Sequence, residues 1–107
     1  MLTRDDVRRI ALSMPEAVES SHFGVEDFRV NKKIFATLHA DQPRAVLKLT
    51  PEDQHNLLDG EAAARVAGSW GLKGWTYLWY EKADPERLET LIRLAWATVA
   101  PKRLLKE

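Results

Sequence analysis

A dense aromatic segment constrains the fold of this chain more than any other feature. Three of its four tryptophans and both of its tyrosines lie within residues 68–80. Because side chains alternate along an extended strand, Trp75, Tyr77 and Trp79 share one face of a strand over residues 75–80. The residues between them share the other face and are also largely apolar. Both faces cannot be ordinary core, so one aromatic row must cover another structural element, a ligand or a partner.

Length and composition predict a single compact domain. With 107 residues and 45% apolar side chains, the chain is long enough for one hydrophobic core and too short for two. We therefore assign residues 1–107 to one domain. Sixteen basic and sixteen acidic residues give a formal net charge of zero, which confines any basic patch to a local surface. The absence of cysteine excludes disulfides and thiolate-bound zinc.

The distribution of apolar residues predicts a soluble protein of the cytoplasm. Residues 1–6 lack the long apolar core of a signal peptide. No later apolar run reaches the length that a membrane-spanning helix needs. We therefore expect no membrane partner.

The first half of the chain predicts one helix followed by three strands. Thr3 and Asp6 have the spacing of a capping box, and apolar residues recur at helical spacing from there to about Ser13. Asn31 and Lys32 predict a tight hairpin turn, because asparagine tolerates the left-handed conformation that such a turn requires. The predicted strands cover residues 27–30, 33–39 and 44–49.

The second half predicts two more helices and two strands. Thr50 and the proline after it open a short helix. Residues 62–67 fit either a helical turn or a brief strand, and we favour the strand. The aromatic segment forms the last strand, and Asp84 opens the longest helix, whose buried stripe includes Trp96. We expect this helix to hold the sheet and Trp96 to have a structural role.

These elements predict a two-layer α+β fold with the order α-β-β-β-α-β-β-α. Short connections between the strands favour an antiparallel sheet, and the amphipathic helices need a sheet face to cover. We expect the helices to pack on one face of the sheet and to leave the opposite face partly open.

Four stretches of the chain resemble the MmcQ/YjbR family. They are residues 11–17 (Ala-Leu-Ser-Met-Pro-Glu-Ala), the hairpin at residues 28–36, residues 47–52 (Leu-Lys-Leu-Thr-Pro-Glu), and the end of the chain from Ala95-Trp96 to Leu104. The resemblance extends over nearly the whole chain in the same order and spacing. It implies a two-layer fold similar to that of secretion chaperones.

The resemblance also implies DNA binding, because the family is commonly described as DNA-binding from its fold. Fold alone does not establish a site. In a frequent form of the family, a histidine and an asparagine precede the tryptophan of the last strand. This chain has Leu72, Lys73 and Gly74 before Trp75 instead, so no role of those two polar residues transfers to it.

The open sheet face is the predicted binding surface for DNA. Aromatic rings stack bases, at about 1–3 kcal/mol per base, and cations neutralise phosphates. In the competing interpretation, the cations are ordinary solvated side chains and the aromatic residues form cross-strand pairs or a covered groove. The candidate binding residues are Arg29, Lys32, Lys33, Lys48, Lys73, Trp75, Tyr77 and Trp79.

A second hypothesis assigns the same aromatic face to a protein-interaction or chaperone-like module. Tryptophan and tyrosine are enriched at the hot spots of protein interfaces. The partner would be another polypeptide or a second copy of this chain. A neutral surface with concentrated aromatic residues suits this hypothesis at least as well as DNA binding.

No sequence pattern predicts an enzyme, a metal site or a cofactor. His22, His39 and His55 lie on separate predicted segments and lack the i, i+4 spacing of a helical metal site. Glu19 and Glu26 are candidate proton-transfer partners of His22, but we favour the simpler alternative of a loop histidine that lies in water or is hydrogen-bonded locally. We expect a non-catalytic binding protein without catalytic or metal-binding residues.

Overall fold

A computed structural model describes residues 2–39, 42–57 and 63–105 of the chain. Within these ranges the strands are β1 (Val18–His22), β2 (Val25–Val30), β3 (Lys33–Leu38), β4 (Ala45–Lys48), β5 (Ala63–Arg65) and β6 (Trp75–Leu78). The helices are α1 (Arg4–Leu12), α2 (Pro51–Leu57), α3 (Ser69–Leu72), α4 (Pro85–Val99) and α5 (Lys102–Leu105), and a 3₁₀ turn covers Tyr80–Lys82.

The strands form one antiparallel sheet in the order β1-β2-β3-β4-β6-β5. The predicted turn between β2 and β3 is confirmed, since Asn31 and Lys32 have φ angles of 54° and 68° as a tight two-residue hairpin requires. A register shift beside Arg29 interrupts the pairing of β2 with β3, and a bulge of this kind turns Phe35 and Ala36 towards the same core. The bulge therefore places two successive residues of β3 in the core.

Helices α1 and α4 cover one face of the sheet and enclose the core. The buried stripe predicted for α4 is confirmed, because its large apolar residues are at most 9% exposed. Strand residues such as Phe28, Leu47 and Leu78 meet this stripe from the sheet side. The fold is thus the predicted two-layer α+β arrangement.

Local capping explains where the two main helices begin. Thr3 and Asp6 form the predicted capping box, in which the Thr3 amide donates to Asp6 Oδ2 at 2.8 Å. At the start of α4, the Asp84 carboxylate accepts from the Arg87 amide at 2.8 Å. These contacts satisfy amides that have no partner inside the helix.

The predicted order of elements omits one strand and two short helices, β1, α3 and α5. Strand β1 was missed because its sequence, Val-Glu-Ser-Ser-His, lacks apolar alternation; its backbone pairing with β2 supports it at the edge of the sheet. Helix α3 was missed because it has only four residues and contains Gly71. The strand expected over residues 62–67 forms at Ala63–Arg65, and Ala62 lies outside the described residues.

The end of the last strand also differs from the prediction, and the helix after Pro101 was not predicted. Strand β6 ends at Leu78 because the 3₁₀ turn begins at Tyr80. The short helix α5 follows Pro101, which ends the long α4 as its missing amide requires. Within the described ranges, no helix combines the length and the apolar character needed to cross a membrane.

Candidate functional site

The face of the sheet opposite α1 and α4 carries the predicted aromatic row. Trp75, Tyr77 and Trp79 are half-buried there, whereas Thr76 and Leu78 are buried on the helix side. The rings of Tyr77 and Trp79 lie with their centroids 5.7 Å apart. The alternation read from the sequence therefore matches the way β6 divides its side chains between the two faces.

Three cations lie over the aromatic rings of this face. Lys48 pairs with Trp75 across β4 and β6, and its Nζ is 5.7 Å from a ring centroid of that tryptophan. The Arg44 guanidinium carbon is 4.1 Å from the Tyr77 ring centroid. Lys73 Nζ is 5.6 Å from a ring centroid of a further tryptophan, Trp70. All three distances fall within the range of a cation–π contact.

Trp70 extends the aromatic surface beyond the sheet. It lies on α3 and packs edge-on against Trp75, with centroids 6.0 Å apart. Gly71 allows α3 to approach the strand connection this closely, because a Cβ atom there would lie 1.8 Å from the Val66 carbonyl oxygen. Trp70 was not among the predicted site residues because α3 was not predicted. A glycine after a tryptophan is only a weak signal for such a helix.

The open face contains a groove of about 360 Å³. Aromatic and aliphatic side chains dominate its walls, and His22, Thr37 and His39 supply its polar groups. The remaining lining residues are Ile34, Val46, Val66, Trp70, Trp75 and Tyr77. The groove crosses the sheet from β1 to α3, so it joins segments that are far apart in sequence.

A buried carboxylate organises the β1 end of the groove. The Asp27 side chain is fully buried; its Oδ1 accepts from Arg29 Nε at 2.7 Å and its Oδ2 accepts from Arg29 Nη2 at 3.0 Å. Asp27 Oδ2 is also 2.7 Å from His22 Nδ1. The hydrogen bonds from Arg29, and secondarily that from His22, hold the pKa of Asp27 below its usual value despite its burial. Asp27 is therefore a carboxylate at neutral pH.

The two candidate proton-transfer partners of His22 bind arginines instead. Glu19 forms an ion pair with Arg8, and Glu26 forms one with Arg4, each at 2.7 Å. The hydrogen-bond partner of His22 is Asp27, because β1 pairs with β2 and places both side chains on the open face. The signal available in the sequence was the i, i+2 spacing of Asp27 and Arg29, which puts them on one face of a strand.

The structure brings some of the predicted binding residues together and leaves others apart. Lys48, Lys73 and the three aromatic residues of β6 share the open face. Arg29 lies on the same face, but its guanidinium binds Asp27. Lys32 and Lys33 are exposed at the β2–β3 hairpin and do not line the groove. Arg44 was not among the predicted site residues, although alternation along residues 44–49 places it on the same face as Lys48.

Metal-ligating side chains do not converge in the described part of the chain. Within residues 2–39, 42–57 and 63–105, no three histidine, aspartate or glutamate side chains are arranged to hold a metal ion. His22 and His39 both line the groove, but the carboxylate beside His22 already binds Arg29 through both oxygens.

Two solved structures share this fold. A Deinococcus radiodurans protein, DR2400, with a DUF419 family domain, superimposes with a TM-score of 0.76 at 23% sequence identity, over 92% of this chain and 78% of that one. A Pseudomonas syringae protein gives a TM-score of 0.76 at 16% identity, over 92% of this chain and 99% of that one. At these identities the likeness shows the fold alone. No curated protein shows significant similarity to the chain.

The family model named YjbR matches residues 12–98. The matched region runs from the end of α1 into the last turn of α4 and so includes the whole sheet and the groove. The resemblance noted in the sequence is confirmed, and the chain belongs to the MmcQ/YjbR family.

Proposed function

We propose that this protein binds single-stranded DNA through its open sheet face. The observation that carries the proposal is the interleaving of cations and aromatic rings, in which Lys48, Arg44 and Lys73 each lie over a ring of the same surface. Exposed rings on an antiparallel sheet offer stacking platforms to unpaired bases, and nearby cations neutralise the phosphates between them. In a duplex the bases already stack on one another, so we favour a single strand.

The position of the Arg44 guanidinium supports an anionic ligand. Its Nε atom is buried and makes no hydrogen bond among the described residues, although buried donors are normally satisfied. Its guanidinium carbon lies only 4.1 Å from the Tyr77 ring centroid, which holds the group in place. The Nε atom is too buried to meet a ligand itself, but a guanidinium held in this position gives the open face a fixed positive charge for a phosphate.

The neutral net charge of the chain sets the expected strength of binding. With sixteen residues of each sign, no overall field draws in a polyanion. Phosphate contacts must therefore come from the few cations of the open face, whereas stacking on Trp70 and Trp75 adds a contribution that salt does not screen. We expect binding that weakens with salt but does not disappear at physiological ionic strength.

Replacing both Lys48 and Lys73 with alanine is expected to weaken oligonucleotide binding and to reduce its salt dependence. For single strands the slope of log K against log salt is about 0.7 per phosphate contact, so losing two contacts lowers it by about 1.4. The measurement is tryptophan fluorescence titrated with a short oligothymidylate at several salt concentrations. Trp96 of α4 is buried, and its indole binds the turn after α1. Quenching of the tryptophan fluorescence therefore reports mainly on the open face.

The matched control is Lys82→Ala with Lys102→Ala. Both lysines are exposed and lie outside the groove, on the 3₁₀ turn and on α5, so this pair changes the net charge equally. The control variant should leave the slope of log K against log salt nearly unchanged. Equal slopes for the two double variants, with oligonucleotide binding intact, would place the DNA site elsewhere. No saturable quenching of the wild-type protein would remove the support for DNA binding at this face.

A protein partner is the second candidate, because large apolar side chains near this face are exposed. Trp70 and Leu72 on α3 are 60% and 67% exposed, and Phe23 at the tip of the β1–β2 hairpin is fully exposed. Interface hot spots favour such aromatic anchors. If the face binds a second copy of the chain, Trp79→Ala should weaken self-association severalfold at every salt concentration.

Sedimentation equilibrium of the wild type and of Trp79→Ala tests this second candidate. Lys48→Ala with Lys73→Ala serves as the comparison, because an aromatic contact has little salt dependence whereas a contact through cations has a strong one. A wild-type protein that remains monomeric over the accessible concentration range would exclude the homodimer form of the hypothesis.

A further inference from the structure

The groove has the size and lining of a pocket for a small ligand. Small-molecule sites commonly occupy about 300–1,000 Å³ and combine apolar walls with a few placed polar groups. The groove of about 360 Å³ lies near the lower limit, and its walls are mainly the rings of Trp70, Trp75 and Tyr77 with aliphatic neighbours. Such a space suits one planar ring system better than a continuous strand of stacked bases.

The hydrogen bonds of Asp27 determine which nitrogen of His22 carries the proton. Arg29 donates to both Asp27 oxygens, which keeps the buried group a carboxylate. A carboxylate only accepts hydrogen bonds, so the 2.7 Å contact with His22 requires a proton on Nδ1. In the neutral imidazole, Nε2 is then an acceptor.

His22 lines the groove, and its Nε2 makes no hydrogen bond within the described residues. The other polar side chains that line the groove, Thr37 and His39, lie on β3 and directly after it. An acceptor held in one tautomer in a groove with aromatic walls selects for a donor on the edge of a planar ligand.

We propose that the groove is a pocket for a single planar heterocycle, such as one nucleobase, whose edge N–H donates to His22 Nε2. This inference rests on the proposed binding of single-stranded DNA and names the part of the ligand that enters the groove. The ring stacks on one aromatic side chain of the groove wall and turns its N–H edge towards His22. Bases before and after it in a strand remain outside the groove.

Adenosine and N6,N6-dimethyladenosine test the role of His22 as an acceptor. The two ligands share one ring system, but the methylated base has no N–H to donate. We expect the methylated nucleoside to bind about tenfold more weakly than adenosine, since an acceptor without a partner costs about that factor. The measurement is the chemical-shift change of the Trp70 and Trp75 indole N–H signals during titration.

Asp27→Asn should abolish or invert this preference. Arg29 can only donate, so it takes the amide oxygen of asparagine and leaves the NH₂ group facing His22. His22 Nδ1 must then accept, and the proton moves to Nε2, as happens when a buried aspartate beside a catalytic histidine is replaced by asparagine. The ¹⁵N spectrum of the His22 ring reports the tautomer without any ligand. An unchanged Nδ1–H tautomer in the variant, with the preference retained, contradicts the mechanism.

His22→Phe gives a test that keeps Asp27 and its pair with Arg29. The variant retains a flat ring in the groove wall but loses the acceptor, so both nucleosides should bind with equal affinity. His55→Phe is the matched control, because His55 is exposed on α2 and does not line the groove. It should retain the tenfold preference.

The outcomes separate this inference from the proposed function. Binding of oligothymidylate without detectable binding of either nucleoside would refute the pocket and leave the DNA-binding face intact. Equal binding of the two nucleosides to the wild type would refute the role of His22 alone. Absence of binding by nucleosides and oligonucleotides alike would overturn both proposals.

Discussion

Replacing Gly74 with alanine is expected to lower the free energy of unfolding by about 4 kcal/mol or more, which is large for a point substitution. A Cβ atom at this position would lie 1.8 Å from the Leu49 carbonyl oxygen, which belongs to the backbone and cannot rotate away. The φ angle of +108° adds strain, because side-chain-bearing residues rarely adopt it. The Gly74 carbonyl also accepts the Leu49 amide at 3.0 Å, so the clash separates β4 from β6.

The measurement is chemical denaturation followed by circular dichroism. Gly24→Ala is the matched control, because Gly24 also has a positive φ of 77° but has open space where a Cβ atom would be added. In that variant the free energy of unfolding should fall only by the cost of a left-handed backbone at alanine, about 1–2 kcal/mol. Equal losses for the two variants would mean that the close approach of Gly74 to Leu49 does not exist in the protein.

Replacing Trp96 with alanine is the second change with a large expected effect, a loss of about 3–5 kcal/mol. Trp96 is 5% exposed and lies in the buried stripe of α4. Its indole Nε1 donates to the Pro15 carbonyl at 3.0 Å, which ties α4 to the turn after α1. Truncation therefore leaves a cavity in the core and removes the hydrogen bond between α4 and the turn after α1.

Two further variants separate the causes of this loss. Trp96→Phe keeps most of the ring volume and loses the hydrogen bond, so we expect a cost of about 1 kcal/mol. Trp70→Ala removes the same atoms from a side chain that is 60% exposed, and its edge-on contact with Trp75 is worth only about 0.5–1.5 kcal/mol. If Trp70→Ala proved as destabilising as Trp96→Ala, the assignment of Trp96 to the structural core and Trp70 to the surface would be wrong.

The two tryptophans also show why similar residues in one sequence have different roles. Trp96 is one of the apolar residues that recur at helical spacing in α4, and this pattern by itself identified it as a core residue. Trp70 precedes a glycine in a segment with no periodicity, so its position depends on how closely the backbone of α3 approaches Val66. Binding studies should therefore use Trp70 and Trp75 as reporters and treat Trp96 as a constant background.

The sequence alone determined the features that depend on neighbouring residues. Alternation divided the β6 side chains between two faces, helical spacing predicted the buried stripe of α4, and Thr3 with Asp6 marked the start of α1. These signals are reliable because the periods of strands and helices are local properties of the backbone. The antiparallel two-layer fold follows once the apolar faces must be covered.

Only the tertiary structure decided which distant residues meet on the open face. The contact of His22 with Asp27, five residues apart, depends on β1, an edge strand whose residues have no apolar pattern to reveal the hairpin with β2. The position of Arg44 over Tyr77 depends on the register of β4 against β6. Strand pairing and register are set by packing across the whole sheet rather than by local sequence, which is why the aromatic row was predictable and the groove beside it was not.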